Sequence, residues 1–343
     1  MHQQRKADHI RINLEEDVEF KQVSAGFECY RFIHCALPEF DLRDVDPSVS
    51  WLDRRLRAPI LISSMTGGTP RAQVVNLHLA EAAQAAGVAM GIGSQRVALE
   101  DESLVGTYRV RHLAPDVLLL ANLGAVQLND GYSAEVCLRA VEMIEADGLI
   151  LHLNPLQEAL QPEGDTHFAG ILERIEAVCQ ALPVPVIVKE VGWGISESVA
   201  RRLADAGVAA IDVAGAGGVS WSQVEMHRAR NDRQREIAAL FAEWGIPTAE
   251  SLLMARRGAP DLPLIASGGV RNGIQIAKAL ALGATACGIA GPFLSAATES
   301  VEAVSELLMR LMDQLRVTMF AAGARTVHDL KPELLQRVGG RET

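Results

Sequence analysis

A closed α/β barrel of the (β/α)8 (TIM barrel) type, with an N-terminal extension, is the fold class this sequence predicts, and three observations predict it. A unit recurs along the chain: an Ala-rich amphipathic stretch, a glycine, then a short apolar run. Eight apolar runs fall between residues 59 and 291, spaced by roughly thirty residues, as a barrel of alternating strands and helices requires. Each run is apolar on both faces, as a parallel strand covered by helices must be. A doubly wound open sheet uses the same strands, so the count alone leaves it as an alternative.

Residues 1–58 lack the unit and read as an N-terminal extension; residues 59–343 carry the barrel, its last helix and a polar tail. The first strand is PILISSM from Pro59, and the second follows AEAAQAAG and ends in MGIG at Gly93. DVLLLANLG from Asp116 is the third, and VEMIEADGLILHLN delivers the fourth, ending at Asn154. The fifth is PVIVKEVG from Pro185, and the sixth ends RRLADAGVAAIDVAGAGG at Gly218. PLIASGG from Pro263 and AKALALGATACGIAG, ending at Gly291, complete the set. Gly87, Gly148, Gly207 and Gly283 are expected to stop the preceding helices in the left-handed conformation. Val301, Val304, Leu307, Leu308, Leu311 and Leu315 predict one amphipathic helix over residues 295–319.

The 343 residues suffice for one large domain with an extension, or for two smaller domains. Hydrophobic residues at 49% and charged residues at 22% exclude a disordered or low-complexity chain. The net charge of −11 argues against broad electrostatic binding to nucleic acid or to an anionic membrane, so an anionic ligand needs a local basic or Gly-rich pocket. No apolar segment follows the first basic residues as a secretory signal requires, so a cytoplasmic address is expected. The uncharged stretch 279–298 is interrupted by Gly283, Gly288, Gly291 and Pro292 and is not expected to span a membrane. Five cysteines, scattered and never spaced C-x-x-C, are expected to be reduced and mostly buried.

In a barrel the active site lies beyond the C-terminal ends of the strands, so the residues after each apolar run are the candidates. They are rich in polar groups and glycine. After the seventh and eighth strands, Ser267-Gly268-Gly269 and Ala290-Gly291 would let backbone N–H groups approach a phosphate closely, with a helix N-terminus behind them; tight turns are the alternative. Lys189 ends an apolar strand where an ammonium can stabilise negative charge on an isoalloxazine ring near N1, a salt bridge with Glu190 being the alternative. The run from His152 to Glu158 places an imidazole, the amides of Asn154 and Gln157 and a carboxylate at one strand end. Arg5, Lys6 and His9 share one face if that segment is helical, and are a solvated tail if it is not.

Taken together, these segments resemble the type 2, FMN-dependent isopentenyl-diphosphate isomerases. RKADHI, SSMTGGT, MGIGSQR, ANLGA, HLNPLQE, QPEGD, VIVKEVGWGIS, DVAGAGG-x-SW, SGGVRNG and IAGPFL stand in the family's order from residue 5 to residue 294. The resemblance implies an isomerase of isoprenoid biosynthesis that interconverts isopentenyl and dimethylallyl diphosphate by proton addition and removal. It further implies FMN, Mg²⁺, NADPH as reductant of the flavin, and a homo-oligomer, a tetramer or octamer. Carried over by position, Ser64, Met65, Thr66, Gly67, Ser94, Asn122, Lys189, Ser220, Gly268, Gly269, Arg271, Ala290 and Gly291 are implied to contact FMN. Substrate contacts are implied for Arg5, Lys6, His9, Ser94, Gln95, Arg96 and Gln157, with His152, Asn154 and Gln157 at the catalytic centre and Glu158 as the Mg²⁺ ligand. Val219 stands where the family more often has Thr, one departure from the pattern. An FMN-dependent oxidoreductase on the same barrel, such as a 2-hydroxy-acid oxidase, and a non-catalytic phosphate-sensing barrel are the rivals. The loop AGAGGVSW lacks a histidine base for the first, and the density of His152, Asn154, Gln157 and Glu158 counts against the second.

Overall fold

Eight parallel strands close into a barrel in which each pairs with the next in the chain and the last returns to the first. They are β1 (Ile60–Ile62), β2 (Ala89–Gly91), β3 (Leu119–Gly124), β4 (Gly148–His152), β5 (Val186–Lys189), β6 (Ala210–Asp212), β7 (Leu264–Ser267) and β8 (Ala286–Ile289). Closure runs through Cys287 opposite Ile60 and Ile289 opposite Ile62, which excludes the open sheet. The computed structural model describes residues 2–338. Every residue of the eight strands is buried except His152, which marks the level where core gives way to site.

The register sets that level. Gly124 pairs with His152, His152 with Lys189, and Lys189 with Asp212, so the polar ends of β3 to β6 form one tier at the C-terminal mouth. Around the strands run helices that include α1 (His2–Glu15), α2 (Pro70–Ala86), α3 (Pro155–Leu160), α4 (Trp221–Arg228), α5 (Gly291–Glu299) and α6 (Val301–Ala322). Among the described residues no helix is long and apolar enough to cross a membrane.

The extension is not a solvated tail. Its helix α1 buries Ile10 and Ile12, and Ile12 packs with Val18 and Val224 of α4. Burial of two isoleucines is worth about 3–6 kcal/mol before ordering costs, enough to hold a 14-residue helix across the barrel mouth. Further along, Tyr30–Phe32 pairs antiparallel with Leu335–Arg337, tying the extension to the far end of the chain.

Three expectations are corrected. Gly148 opens β4 instead of ending a helix: the preceding helix Ala134–Met143 stops at Ile144, and Glu145 takes the positive φ of 54°. Gly148 is needed there for space, since a Cβ would stand 3.0 Å from the Pro185 carbonyl oxygen. The helix expected over residues 295–319 is two helices, because Ser300 adopts an extended conformation and caps α6 by accepting from the Ala303 N–H. All five cysteines are free, but only Cys137 and Cys287 are fully buried.

Candidate active site

Two adjoining clefts open at the C-terminal mouth of the barrel. The first, about 1200 Å³, is walled by Ser63 to Thr66, the 214–219 loop, Ser267 to Arg271 and Gly288 to Pro292. The second, about 790 Å³, is walled by Arg5, Ser94, Arg96, Asn122, His152, Asn154, Gln157 and Glu158. Lys6, His9, Ser64, Met65, Lys189 and Trp221 line both, so the clefts adjoin.

The first cleft fits a flavin phosphate and ring. The hydroxyls of Ser63 and Ser64 are buried on its wall with no protein hydrogen-bond partner, two polar atoms free to bond a ligand. At its other end the nine-residue helix α5 begins with Ala290 and Gly291; no side chain caps it, and a Cβ on Gly291 would meet nothing within 4 Å. An uncapped helix start facing open space is an anion site in waiting. Gly268 and Gly269, by contrast, are glycines because a Cβ would strike the backbone of Gly215 and Gly217, so they pack one loop against another. Arg271, at the rim, pairs with Glu19 at 2.6 Å.

The second cleft is a network of fixed amides and charges. Gln157 is gripped at both ends: its Oε1 accepts from Asn154 Nδ2 at 3.2 Å and its Nε2 donates to Glu225 Oε1 at 3.1 Å. Glu158 accepts from Asn154 Nδ2 at 2.9 Å, from the Asp165 N–H at 2.7 Å, and from Gln161 Nε2. Asn154 Oδ1 remains buried without a partner. One hard carboxylate beside an idle amide oxygen suits a Mg²⁺ ion that keeps several waters. Among the described residues no group of three His, Cys, Asp or Glu could cage a metal by itself, so any such ion would need ligand oxygens.

His152 donates from Nδ1 to Asn122 Oδ1 at 2.9 Å, leaving Nε2 as an acceptor. Burial, with Lys189, Arg5 and Lys6 nearby, pushes its pKa down to about 3, so the ring is neutral throughout the physiological range. Lys6 donates to the Ser94 carbonyl at 2.6 Å and to the Tyr108 hydroxyl at 2.5 Å. Burial and the neighbouring Arg5 bring its pKa down to about 7.

Of the residues expected at the site, most stand on the walls of one cleft or the other, and three do not. Gln95 is fully buried: its Oε1 accepts from the Asn122 N–H and its Nε2 donates to the Ala140 carbonyl, so it fixes Asn122 from behind. Ser220 spends its hydroxyl on Ser222 and the Ala242 carbonyl. Gly67 makes room for the Tyr108 ring, which a Cβ would overlap at 2.0 Å, and Tyr108 in turn holds Lys6. Lys189 forms no salt bridge with Glu190; its ammonium donates to the Glu190 carbonyl, while the Glu190 carboxylate accepts from the N–H groups of Val191, Gly192 and Trp193.

Sequence reasoning missed the group that joins the N-terminal helix to this cleft. Glu225, whose side chain is fully buried, accepts from His9 at 3.0 Å and from Gln157, and pairs with Arg228 at 2.6 Å. Burial works against its charge, yet the bond from His9 and the Arg228 guanidinium together hold its pKa below the ordinary carboxylate value. Trp221 meets the His9 ring edge-on with centroids 5.0 Å apart. The only signal was the SW pair closing the Gly-rich loop.

A family model described as FMN-dependent dehydrogenase matches residues 153–337, more than half the chain. The isopentenyl-diphosphate delta-isomerase of a Nostoc species is 54% identical over 329 residues, covering 96% of this chain and 94% of the relative. The chain belongs to the isopentenyl-diphosphate delta-isomerase family. Other family members include that of Cronobacter sakazakii, 53% identical over 99% of this chain and 98% of its own, and that of Rickettsia bellii, 52% identical over 95% of each. Among solved structures, the monotopic membrane protein (S)-mandelate dehydrogenase superposes with a TM-score of 0.69 at 18% identity over 98% of both chains. A mandelate oxidase with benzoyl-formic acid gives 0.65 at 20% identity, covering 98% of this chain and 94% of its own. These establish a shared fold for the isomerase family member and the mandelate enzymes, and nothing about chemistry.

Proposed function

We propose that the chain interconverts isopentenyl and dimethylallyl diphosphate, with FMN in the first cleft and the diphosphate and Mg²⁺ in the second. The observation that carries this reading is the shared lining: a flavin in the first cleft and an alkene in the second would both border on Ser64, Met65, Lys189 and Trp221, and so be neighbours. Reduced FMN, when bound, supplies acid–base chemistry at its ring without net electron transfer. NADPH as its reductant, a homo-oligomeric assembly and a cytoplasmic address belong to the same reading.

The chain's own residues bind and orient. Arg5, Lys6 and Arg96 bring positive charge to the diphosphate, so residues 1–58 contribute to the substrate site through α1. Glu158 would offer Mg²⁺ a carboxylate, and the ion would supply charge to neutralise the diphosphate. Gln157, held at both ends, presents an amide whose orientation is set before substrate arrives, a positioning role that lowers the entropic part of the barrier. An oxidase would need a base with a pKa near neutrality. Of the histidines on the described walls, His152, whose pKa burial and the nearby cations pull down to about 3, does not meet that need.

Lys6 gives the reading a pH signature. Its pKa of about 7 lies below the 10.5 of an unburied lysine, so above pH 7 the free site holds a neutral amine, and binding a diphosphate requires proton uptake. KM for isopentenyl diphosphate should therefore rise from pH 7.5 to 9, approaching about tenfold per unit, while Lys6→Arg, always charged, should flatten the profile. A wild-type KM independent of pH over that range would remove Lys6 from the diphosphate. The same shift makes the unfolded chain bind more protons between pH 7 and 10.5, so Lys6 adds stability as pH rises through that window.

The isomerase reading is tested anaerobically with dithionite-reduced enzyme, Mg²⁺ and isopentenyl diphosphate in deuterated buffer. Many turnovers to dimethylallyl diphosphate without NADPH, with solvent deuterium in the product, are expected. A reaction that stops at one product per reduced flavin, or no deuterium incorporated, would favour an oxidoreductase.

A further inference from the structure

Asp212 ends β6 and has no part in the reading above. Its side chain is 1% exposed. Oδ1 accepts from Ser267 Oγ at 2.6 Å and from the Ala214 N–H at 3.3 Å, while Oδ2, equally buried, has no hydrogen-bond partner. On β5 its register partner is Lys189, and residues paired across a parallel ladder project to the same face, so both side chains enter the barrel. Lys189 Nζ donates to the Glu190 carbonyl, which leaves an ammonium with two further N–H bonds to place. Ser267, which binds Asp212, and Lys189 both stand on the wall of the first cleft, whereas Asp212 lies directly behind them.

No salt bridge joins the two: Lys189 lies beyond contact distance, yet its ammonium shares the face of the ladder with the idle carboxylate oxygen and acts on it through space, as a charge near a buried carboxylate must. The groups around Asp212 are few: Lys189 on β5, Ser267 on β7 and the Cys287 thiol on β8, which burial and then the Asp212 charge push up. Burial raises the Asp212 pKa and Lys189 opposes it. We propose that Asp212 is a positioning residue for the flavin: it is the through-space counter-charge of Lys189, limiting the positive charge that reaches the reduced FMN ring. The proposal rests on FMN occupying the first cleft. Without the carboxylate, the full lysine charge acts on the flavin and favours its reduced, more negative form.

The test is the reduction potential of Asp212→Asn holoprotein, which keeps the size and an acceptor for Ser267. FMN should remain stoichiometric, and the reduction equilibrium should move about tenfold toward the reduced form, ~30 mV upward for a two-electron couple. A carboxylate with a purely structural role would change the melting temperature and leave the potential alone, so an unchanged potential at full FMN content overturns the proposal. Failure of the wild type to retain FMN would overturn the cleft assignment instead. Should the variant not fold, the reduced-minus-oxidised infrared difference spectrum of ¹³C-aspartate-labelled wild-type holoprotein decides: a shifted aspartate carboxylate band is expected, and the absence of any aspartate band overturns the proposal.

Discussion

Glu158→Gln should lower turnover on the order of 100-fold and raise the Mg²⁺ concentration for half-maximal rate at least about tenfold, with FMN still bound. The loss of a ligand to a metal that stabilises developing phosphate charge costs several kcal/mol, and each 1.4 kcal/mol is a factor of about ten. Part of the effect is local. Glu158 accepts from Asn154, Gln161 and the Asp165 N–H, and a glutamine presents an NH₂ where an acceptor stood. The amides of Asn154 and Gln161 can turn to re-pair; the backbone N–H of Asp165 cannot, so the orientation of the substituted amide is forced and a mispaired buried group costs about 1–3 kcal/mol of stability. Steady-state rate against Mg²⁺, with flavin absorbance as the control, separates the two contributions. An unchanged Mg²⁺ dependence would take the metal away from Glu158.

The barrel was legible because its signal is local and repeated. Runs such as LLLANLG and PVIVK are apolar on both faces, which only a covered parallel strand explains, and the residues at their ends fall into one ring by the geometry of closure. His152 and Lys189 could be placed for that reason. Glu225 could not: it meets His9 across 216 residues of chain, and the segment WSQVEMHRAR reads as an ordinary polar helix whose acid should face water. Asp212 was hidden inside an apolar run, where AID looks like strand and nothing signals that its neighbour in the sheet is Lys189. Gln95, implied by the resemblance together with Ser94 and Arg96 of the same loop, turns the other way. Strand-end loops turn, and of three successive side chains one points back into the wall, here to hold Asn122.

Gly291→Val should abolish FMN retention while leaving the fold intact, and the contrast with Gly269→Val shows why the choice of glycine matters. Gly291 lines the first cleft at the start of α5, and a Cβ there meets nothing within 4 Å, so valine adds bulk at the proposed phosphate position without striking a neighbour. Its melting temperature should correspond to a stability change within about 0.5 kcal/mol, as for substitutions that disturb no packed neighbour. The phosphate it displaces would lose charge-assisted bonds of about 1.5–3 kcal/mol each, so two of them weaken FMN binding on the order of 100-fold or more. Gly269 differs on both counts. Its φ of 72° strains any β-branched residue by about 1–3 kcal/mol, and its Cβ would lie 2.3 Å from the Gly217 carbonyl oxygen. Gly269→Val must therefore displace the 214–218 loop, which also walls the cleft, and any flavin loss in that variant will come with a lower melting temperature. Measured together by apoprotein melting and FMN titration, the two variants distinguish a blocked phosphate from a broken wall. Gly291→Val binding FMN with wild-type affinity would remove the phosphate from the start of α5.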